Sequence, residues 1–360
     1  MDKSAKIYIA GHHGLVGSAI WRNLQEKGYV NLIGRSHLEL DLQDGIAVKE
    51  FFDKEQPEYV ILAAAHVGGI MANSRYRADF IYKNLQIQQN VIEESFNHGV
   101  AKLLFLGSTC IYPKNAEQPM REDALLTSPL EYTNEPYAIA KIAGLKMCES
   151  FNLQYGTNYI AVMPTNLYGP NDNFDLERSH VLPAMIRKIH LAKCLNEGDW
   201  DAICLDLDIR PVEGVSGRSH VLDIQQVLDG YGVTESEIKL WGTGNPLREF
   251  LWSEDMADAS VYIMEKVDFK DTYAPGENEI RNCHINIGTG KEISIKDLAM
   301  LIAKEVGYKG RITFDSSKPD GTMRKLTDVT KLHELGWQHK IDIEEGVRKM
   351  YQWYLEYKKK

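Results

Sequence analysis

The chain has 360 residues, of which 44% are hydrophobic, and it carries a formal net charge of −10. That length is sufficient for one large domain or two ordinary ones. A protein that binds duplex nucleic acid needs a basic face to replace the counterions of the phosphates. No long run of lysine and arginine occurs here, so nucleic-acid binding is not expected, and the terminal lysines 358–360 are interpreted as a solvated tail.

The cysteines are not arranged as metal or redox motifs. They are Cys110, Cys148, Cys194, Cys204 and Cys283. Because none of them forms a CxxC pair, the sequence predicts no zinc ribbon, no redox pair and no bound metal. The first residues hold no apolar stretch followed by a cleavage site, and no apolar run reaches the length of a membrane span. We therefore expect a soluble, cytoplasmic protein without a membrane partner.

Short apolar runs alternate with helical patterns through the first half of the chain. The amphipathic segments 17–27 and 81–97 predict helices, because their apolar residues recur at helical spacing. Strand–helix alternation of this kind predicts an α/β fold with a doubly wound, parallel Rossmann sheet and right-handed crossovers. Buried strands are predicted at 6–10, 31–34, 59–65, 102–107 and 159–163.

The order changes after residue 170, where an irregular polar stretch begins. We expect a Rossmann domain over 1–170, to which later segments return, and a smaller α/β substrate-binding domain mainly over 171–360. Residues 195–239 hold ten acidic and only three basic residues, and we interpret them as a surface insertion. Further elements are predicted as helices at 183–193, 294–306 and 344–357 and as strands at 239–241 and 284–287.

A glycine motif lies between the first predicted strand and the first predicted helix. In IYIAGHHGLVGSAI, the glycines are Gly11, Gly14 and Gly17, spaced as GxxGxxG. Such a turn needs backbone freedom, and the missing side chains let a pyrophosphate approach the N-terminus of the helix. Since the motif has a strand before it and a helix after it, it favours a dinucleotide site over an ordinary turn.

The end of the second predicted strand indicates which dinucleotide is bound. NAD enzymes place an acid there to hold the ribose 2′-hydroxyl, whereas this chain has Arg35 and His37, with His13 in the glycine loop. Basic groups suit a 2′-phosphate, so the sequence predicts NADP. Asp41 could bind the adenine or a loop amide, and the alternative for Arg35 is a simple surface charge.

A serine and a YxxxK pair follow the glycine motif along the chain. Ser108 comes directly after the fourth predicted strand, at the edge where doubly wound sheets bind ligands. Tyr137 and Lys141 are four residues apart and lie on one face of a helix. Lys141 is expected to lower the pKa of the Tyr137 phenol, which would exchange a proton with a substrate oxygen while Ser108 binds that oxygen.

With these motifs, the chain resembles the extended short-chain dehydrogenase/reductases along nearly its full length, apart from 195–239. More narrowly, it is similar to the branch that epimerises and reduces a GDP-4-keto-6-deoxy sugar. The resemblance implies NADPH-dependent 3,5-epimerisation and 4-reduction of GDP-4-keto-6-deoxy-D-mannose. The matching segments are AGHHGLVGSAI, LAAAHVGGIMAN, LLFLGSTCIYP, TNEPYAIAKIAG, MPTNLYGPNDNF, SHVLPA, REFLWSEDMADAS and SKPDGTMRKLTDV.

The resemblance assigns roles residue by residue. Ser108, Tyr137 and Lys141 match the reductive triad, and Cys110 and His180 match the acid and base of epimerisation. The implied GDP-sugar contacts are Lys188, Trp241, Arg248 and Glu292. The implied NADP contacts are Gly11, His12, His13, Gly14, Leu15, Val16, Gly17, Arg35, His37, Asp41, Leu106, Gly107, Ser108, Lys141, Pro164, Thr165, Asn166, Leu167 and His180.

Two positions depart from the pattern of the branch. Lys188 stands where an arginine is expected to contact the nucleotide phosphates, so the charge is kept but the bidentate fork is lost. Thr109 replaces a frequent serine, with little consequence expected.

Because Cys110 follows Ser108 by two residues, a strand-like backbone is expected to direct both side chains to the same side.

Two other readings of the sequence stay open at this point. One is a nucleotide-sugar 4-epimerase or 4,6-dehydratase, which keeps its NAD and restores it in each turnover. The other is a non-catalytic protein that retains the fold and senses NADP. The resemblance also implies a two-fold homodimer, in which the helices over 81–97 and 137–153 pack against their copies.

Overall fold

The structure is a computed structural model that describes residues 1–276, 278–318 and 320–357; the lysine tail at 358–360 lies outside the described residues. The chain divides into two compact units. The first unit comprises Met1–Leu167, Glu249–Lys291 and Leu326–Lys340, and the second comprises Tyr168–Arg248, Glu292–Lys325 and Ile341–Lys360. Within the described part of the chain, no helix is both long enough and apolar enough to cross a membrane.

Strands and helices alternate through most of the chain. The strands are β1 Ile7–Ala10, β2 Leu32–Ile33, β3 Tyr59–Leu62, β4 Lys102–Leu106, β5 Tyr159–Pro164, β6 Asn166–Tyr168, β7 Glu237–Trp241, β8 Leu247–Arg248, β9 Phe250–Trp252, β10 Ile285–Ile287, β11 Ile293–Ser294, β12 Arg311–Asp315 and β13 Arg324–Lys325. The helices are α1 Leu15–Glu26, α2 Gly45–Glu55, α3 Ile70–Arg75, α4 Arg77–Asn97, α5 Glu135–Tyr155, α6 Val181–Glu197, α7 Trp200–Ile209, α8 Val221–Gly230, α9 Ser253–Lys266, α10 Ile295–Val306, α11 Thr330–Glu334 and α12 Ile343–Tyr357.

A six-stranded parallel sheet forms the centre of the first unit. Its strand order is β10–β5–β4–β3–β1–β2, and each neighbouring pair is parallel. Since parallel strands need crossovers, helices cover both faces. The predicted doubly wound Rossmann fold is therefore confirmed.

The side chains of the central strands divide between two apolar layers. In β4, Leu103 and Phe105 lie in the layer that α2, α4 and α5 cover, whereas Leu104 and Leu106 lie in the layer that α1 and α9 cover. This alternation follows from the two-residue period of a strand. Since the strands are all parallel, the carboxyl ends of β1, β4 and β5 lie at one edge of the sheet.

The second unit is held together by helices and two small sheets. β7 pairs with β12 in parallel, and β8 lies between β11 and β13. A buried ion pair lies in its core, where Arg187 Nε is 2.8 Å from the Asp206 carboxylate and both side chains are fully buried. The second Asp206 oxygen accepts the hydroxyl of Tyr354, so the carboxylate is satisfied on both oxygens.

Residues 195–239 contain two helices that the sequence did not predict, α7 and α8. Asp199 caps α7 by accepting the backbone N–H of Ala202 at 3.0 Å, and Asp206 of the same helix forms the buried pair with Arg187. The high acidic content suggested an irregular surface, but one of those acids is a core residue. The interpretation of this segment as an insertion stays a prediction.

Candidate active site

The glycine motif forms a turn that leaves no room for a side chain at Gly11 or Gly17. Gly11 has φ +85°, and a Cβ there would lie 2.8 Å from the backbone nitrogen of Ala64. A Cβ on Gly17 would lie 2.1 Å from the carbonyl oxygen of Gly11, so only glycine lets α1 approach the turn this closely. Gly14 precedes the first residue of α1, whose first turn contains no acid. The N-terminus of this helix thus presents backbone N–H groups to an anion.

Basic and imidazole groups cluster beside this turn. The rings of His12 and His13 have centroids 3.8 Å apart. A Cβ on Gly34 would lie 2.4 Å from the His12 ring, so the second strand must pass close to it. Burial, followed by the neighbouring His13, lowers the pKa of His12, and His12 Nδ1 is buried without a hydrogen-bond partner among the described residues. An unpaired buried nitrogen and a side-chain-free cradle fit a dinucleotide.

Arg35 is already engaged in an ion pair. One guanidinium nitrogen lies 2.7 Å from Glu55 at the end of α2, and the other donates to the carbonyl of Gly34 at 2.8 Å. His37 is exposed, with Nδ1 3.7 Å from the carboxylate of Asp41. Sequence reasoning missed Glu55, which lies 20 residues from Arg35 and outside any motif.

Ser108 and Cys110 do not follow one another along a strand. β4 ends at Leu106, and Thr109–Ile111 form a short 3-10 helix for which Ser108 is the N-cap. The Ser108 hydroxyl oxygen accepts the backbone N–H of Cys110 at 3.3 Å. The expectation of a strand-like backbone here is therefore wrong, because the serine side chain stabilises a turn instead. Cys110 is 8% exposed.

Tyr137 and Lys141 lie on α5 beside the end of β4. The Lys141 ammonium donates to the carbonyl of Leu106 at 2.8 Å and lies 5.8 Å from the centre of the Tyr137 ring. Burial lowers the pKa of Lys141 to about 8, an effect that Cys110 opposes. The chain thus brings Ser108, Cys110, Tyr137 and Lys141 to the carboxyl end of β4. These four residues are candidates for catalysis, and we refer to them as the catalytic cluster.

The pKa of Tyr137 departs from the sequence-based expectation. Burial raises it strongly, and the neighbouring Cys110 raises it further. The expected lowering by Lys141 is not seen in this structure, where burial is the larger of the two causes and shifts the pKa of Tyr137 upward. Tyr137 therefore holds its proton at neutral pH, as a proton donor must.

The segment after β5 is tied to two other parts of the first unit. Pro164 ends β5, and the backbone N–H of Thr165 donates to the carbonyl of Ile287 at 3.0 Å. The Asn166 side chain donates to the backbone carbonyl of Glu249 at 2.8 Å. Leu167 packs against the layer that contains α1 and α9. Gly107, which directly follows β4, lies close to this segment: a Cβ there would lie 2.3 Å from the end of the Met163 side chain.

The candidate substrate residues belong to the second unit. Burial lowers the pKa of Lys188 to about 8, and its ammonium lies 5.8 Å from the Tyr231 ring. Trp241 is 62% exposed, with the ammonium of Lys318 5.6 Å from its ring centre. Lys188, Trp241 and Arg248 are candidates for GDP contacts, and we refer to these three candidates as the nucleotide group.

The other two second-unit candidates differ in their surroundings. Glu292 forms a bidentate pair with Arg324, at 2.7 to 2.9 Å; sequence reasoning did not single out Arg324, although it lies in the matching segment SKPDGTMRKLTDV. Solvent reaches the ring of His180, at the N-terminus of α6. The protein around it nevertheless removes enough water to lower its pKa.

The family model described as "NAD dependent epimerase/dehydratase family" matches residues 7–204 and 212–288. The chain belongs to this family. Within it, the chain is 51% identical to a putative GDP-L-fucose synthase 2 of Arabidopsis thaliana, with 99% of this chain and 93% of the relative covered. It is 49% identical to the GDP-L-fucose synthase of Escherichia coli K12, with 98% and 97% covered.

A solved structure resembles the chain as a whole. It is a GDP-D-glycero-L-gluco-heptose synthase from Campylobacter jejuni, solved in the presence of NADPH. The TM-score is 0.91 at 44% sequence identity, with 99% of each chain covered. The resemblance drawn from the sequence motifs is thereby confirmed.

Proposed function

We propose that this chain uses NADPH to convert GDP-4-keto-6-deoxy-D-mannose into GDP-L-fucose, by inverting C3 and C5 and reducing C4. The observation that carries the proposal is the catalytic cluster, which combines a protonated phenol, a lysine and a serine with a cysteine that simple reduction does not need. The identity to GDP-L-fucose synthases along the whole chain supports the same activity.

We assign cofactor binding to the first unit. The backbone of the glycine turn and the N-terminus of α1 would hold the pyrophosphate. Arg35, with His12, His13 and His37, would hold the 2′-phosphate, and Lys141 would bind the nicotinamide ribose. The residues that follow β4 and β5 would surround the nicotinamide. NADPH, when bound, supplies the hydride that C4 receives.

Reduction then needs one proton from the protein. The raised pKa of Tyr137 keeps its hydroxyl protonated, so the phenol can donate that proton to O4 as C4 becomes tetrahedral. Ser108 would donate a hydrogen bond to the same oxygen. Lys141 positions the phenol and can return a proton to it, since its own pKa lies near 8.

Epimerisation uses the same carbonyl before it is reduced. The protons on C3 and C5 are acidic because loss of either gives an enolate whose charge lies on O4. Ser108 and Tyr137 would stabilise that oxygen. Cys110 and His180 are assigned as the acid and base that remove a proton from one face and return it to the other. Each inversion is proton-neutral, and no electrons leave the sugar.

The nucleotide group is assigned to GDP. Lys188 and Arg248 supply positive charge for the diphosphate, and the exposed Trp241 ring offers a face for stacking. Glu292 is assigned to the same ligand, where its carboxylate can accept hydrogen bonds while Arg324 holds it in place. A lysine at 188 binds phosphate as a point charge, so this contact is less directional than an arginine would be.

The proposal is tested by following NADPH absorbance with purified GDP-4-keto-6-deoxy-D-mannose. We expect stoichiometric oxidation and, by NMR, a product with the L-fuco configuration. A 4-epimerase or a 4,6-dehydratase would show no net NADPH oxidation. A non-catalytic NADP-binding protein would bind the cofactor without oxidising it, and either result would overturn the proposal.

A second candidate substrate is a GDP-4-keto-heptose. It is favoured by the likeness to the Campylobacter jejuni heptose enzyme, whose TM-score is 0.91. The two substrates differ at C6, which is a methyl group in one and, in the other, carries a hydroxyl and one further hydroxylated carbon, C7. Competing both keto sugars in one assay and comparing kcat/KM decides between them.

We infer that the protein is a cytoplasmic homodimer built on α4 and α5. These helices pack against each other yet leave large apolar side chains exposed: Tyr82 62%, Ile139 42%, Leu153 50% and Tyr155 52%. An isologous four-helix interface would cover them. None of the cysteines in the described residues is in a disulfide, which suits a reducing compartment. Light scattering at micromolar concentration should give twice the chain mass, and a monomer would contradict this proposal.

A further inference from the structure

Glu249 is a buried carboxylate of the first unit that the mechanism above does not use. It is 0% exposed. Oε1 accepts the backbone N–H groups of Thr289 at 2.6 Å and Gly290 at 2.8 Å. Oε2 accepts the backbone N–H of Thr327 at 2.9 Å and its hydroxyl at 2.6 Å. A buried charge is costly unless it is hydrogen-bonded, and these donors satisfy both oxygens and fix the plane of the carboxylate.

The backbone at residue 288 lies directly against the carboxylate. A Cβ on Gly288 would lie 2.3 Å from Oε1 of Glu249 and 2.4 Å from the hydroxyl oxygen of Thr327. The backbone of 288–290 therefore closes directly around the carboxylate. A glutamate side chain held at both oxygens also fixes the position of its own backbone.

That backbone in turn holds the segment after β5. The carbonyl oxygen of Glu249 accepts the Asn166 amide at 2.8 Å and the Thr165 hydroxyl at 3.4 Å. The backbone N–H of Thr165 donates to the carbonyl of Ile287 at 3.0 Å, one residue before Gly288. Three stretches of chain, around residues 165, 249 and 288, are thus joined in a closed ring of hydrogen bonds. The Glu249 side chain is the link between residues 249 and 289–290.

Thr165 and Asn166 directly follow the carboxyl end of β5, the edge at which a doubly wound sheet binds its ligand. We propose that Glu249 is a positioning residue that fixes Thr165 and Asn166 against the nicotinamide end of the cofactor, so that hydride transfer depends on it more than proton exchange does. The inference rests on the proposed function. Hydride transfer is sensitive to displacements of about 1 Å, which can cost about 100-fold in rate, whereas proton exchange is assigned to Cys110 and His180, which lie outside the segment 165–166.

The first test needs no cofactor. Glu249→Gln keeps the shape of the side chain but turns its NH2 group toward backbone N–H donors that the carboxylate accepts. This repulsion should displace the backbone of residue 249. Hydrogen exchange measured by mass spectrometry should rise about tenfold in the peptide over 159–168, with β4 unchanged as the internal reference. Parent-level exchange over 159–168 would overturn the inference.

The second test separates two chemistries in the same variant. Reduction of the keto sugar should fall about 10- to 100-fold, with a larger kinetic isotope effect from deuterated NADPH. Deuterium uptake from solvent at C3 and C5 should stay within about threefold of the parent, as should the dissociation constant for NADPH. A fall of both activities in proportion would show a merely structural role and would overturn the inference.

Two further variants complete the test: a milder change at the same carboxylate and a control at a different buried residue. Thr327→Val removes only the hydroxyl donor at 2.6 Å and should reproduce the split in a weaker form, including when Glu249→Gln does not fold. The control is Lys102→Met, because Lys102 is buried and caps α9 by donating to the carbonyls of Ile263, Met264 and Val267. Its variant should lose stability while leaving the ratio of the two activities unchanged.

The failure of the inference can be told from failure of the proposed function. A parent protein that oxidises no NADPH with any GDP-keto sugar would remove the proposed function. Hydrogen exchange over 159–168 in the cofactor-free protein would still decide whether Glu249 holds Thr165 and Asn166. The reverse result, with full parent activity and unchanged exchange in Glu249→Gln, would remove the inference alone.

Discussion

The catalytic cluster and the nucleotide group are proposed to meet different physical demands. In the cluster, burial sets the protonation states, because it raises the pKa of Tyr137 and lowers that of Lys141. In the nucleotide group, Trp241 is mostly exposed and Lys188 is half-buried. Groups that transfer protons need a tuned pKa, whereas groups that hold a charged nucleotide must be reachable from solvent. Substitutions in the first region should therefore change rates, and those in the second should change affinities.

The largest effect is expected from Tyr137→Phe. Loss of the proton donor should lower the rate of reduction by about 100- to 10,000-fold, while solvent deuterium still enters C3 and C5. NADPH oxidation and NMR in deuterated water measure the two activities. Tyr132→Phe, at an exposed position before α5, is the matched control, and reduction at the parent rate by Tyr137→Phe would contradict the assignment.

Cys110→Ser should separate the two activities assigned to the catalytic cluster, epimerisation and reduction. The hydroxyl is a much weaker acid than the thiol, so deuterium uptake at C3 and C5 should fall by about 100-fold or more. NADPH binding should be unchanged, and slow reduction of the un-epimerised sugar should give a 6-deoxy product of the wrong configuration. His180→Gln should also impair uptake. Cys204→Ser, in the second unit, serves as the control, and parent-level uptake by Cys110→Ser would place the base elsewhere.

Arg35→Asp tests the proposed contact between Arg35 and the 2′-phosphate of NADPH, which should affect cofactor affinity rather than rate. Loss of a charged contact to the 2′-phosphate should weaken NADPH binding by about 10- to 100-fold and shift the preference toward NADH, with kcat less affected. Fluorescence titration measures both dissociation constants. The exposed Lys49 of α2 gives a control substitution, Lys49→Ala. Equal affinities of the parent for NADPH and NADH would refute the role of Arg35.

The smallest effect is a pH dependence in the nucleotide group. The folded pKa of Lys188 is lowered to about 8, so Lys188 is charged below that pH and loses its charge above it. KM for the GDP-sugar should therefore rise about tenfold between pH 7 and pH 9.5. In Lys188→Arg the rise should disappear because arginine stays charged. Lys141 also titrates near pH 8, but its effect belongs to kcat. A pH-independent KM in the parent would contradict the assignment.

Much of the first unit follows directly from residue pattern. Short apolar runs predicted the central strands, since a strand buried on both faces has no polar alternation. Their alternation with helices predicted the parallel sheet. The order of the glycine turn, Ser108 and the YxxxK pair predicted a shared ligand-binding edge, because the carboxyl ends of parallel strands meet there.

The remaining features depend on contacts that sequence spacing does not encode. The pairing of Arg35 with Glu55 joins residues with no common motif. The turn at Cys110 arises from a local side-chain bond that competes with the strand. The α7 helix is stabilised by the buried pair between Asp206 and Arg187, although its acidic sequence indicates a surface. The raised pKa of Tyr137 is set by burial, which a motif cannot report.

The segmented first unit has a consequence for synthesis of the chain. The edge strand β10 and the covering helix α9 are encoded more than 80 residues after β5. At about 5 to 20 residues per second, the ribosome completes β10 roughly 6 to 24 s after the end of β5. During that interval one apolar face of the nascent sheet lacks its second helix, and β5 lacks its outer partner. A fragment ending near residue 167 is therefore expected to need chaperones. The yield of folded enzyme should be highest when chaperones cover the exposed apolar face of the nascent chain.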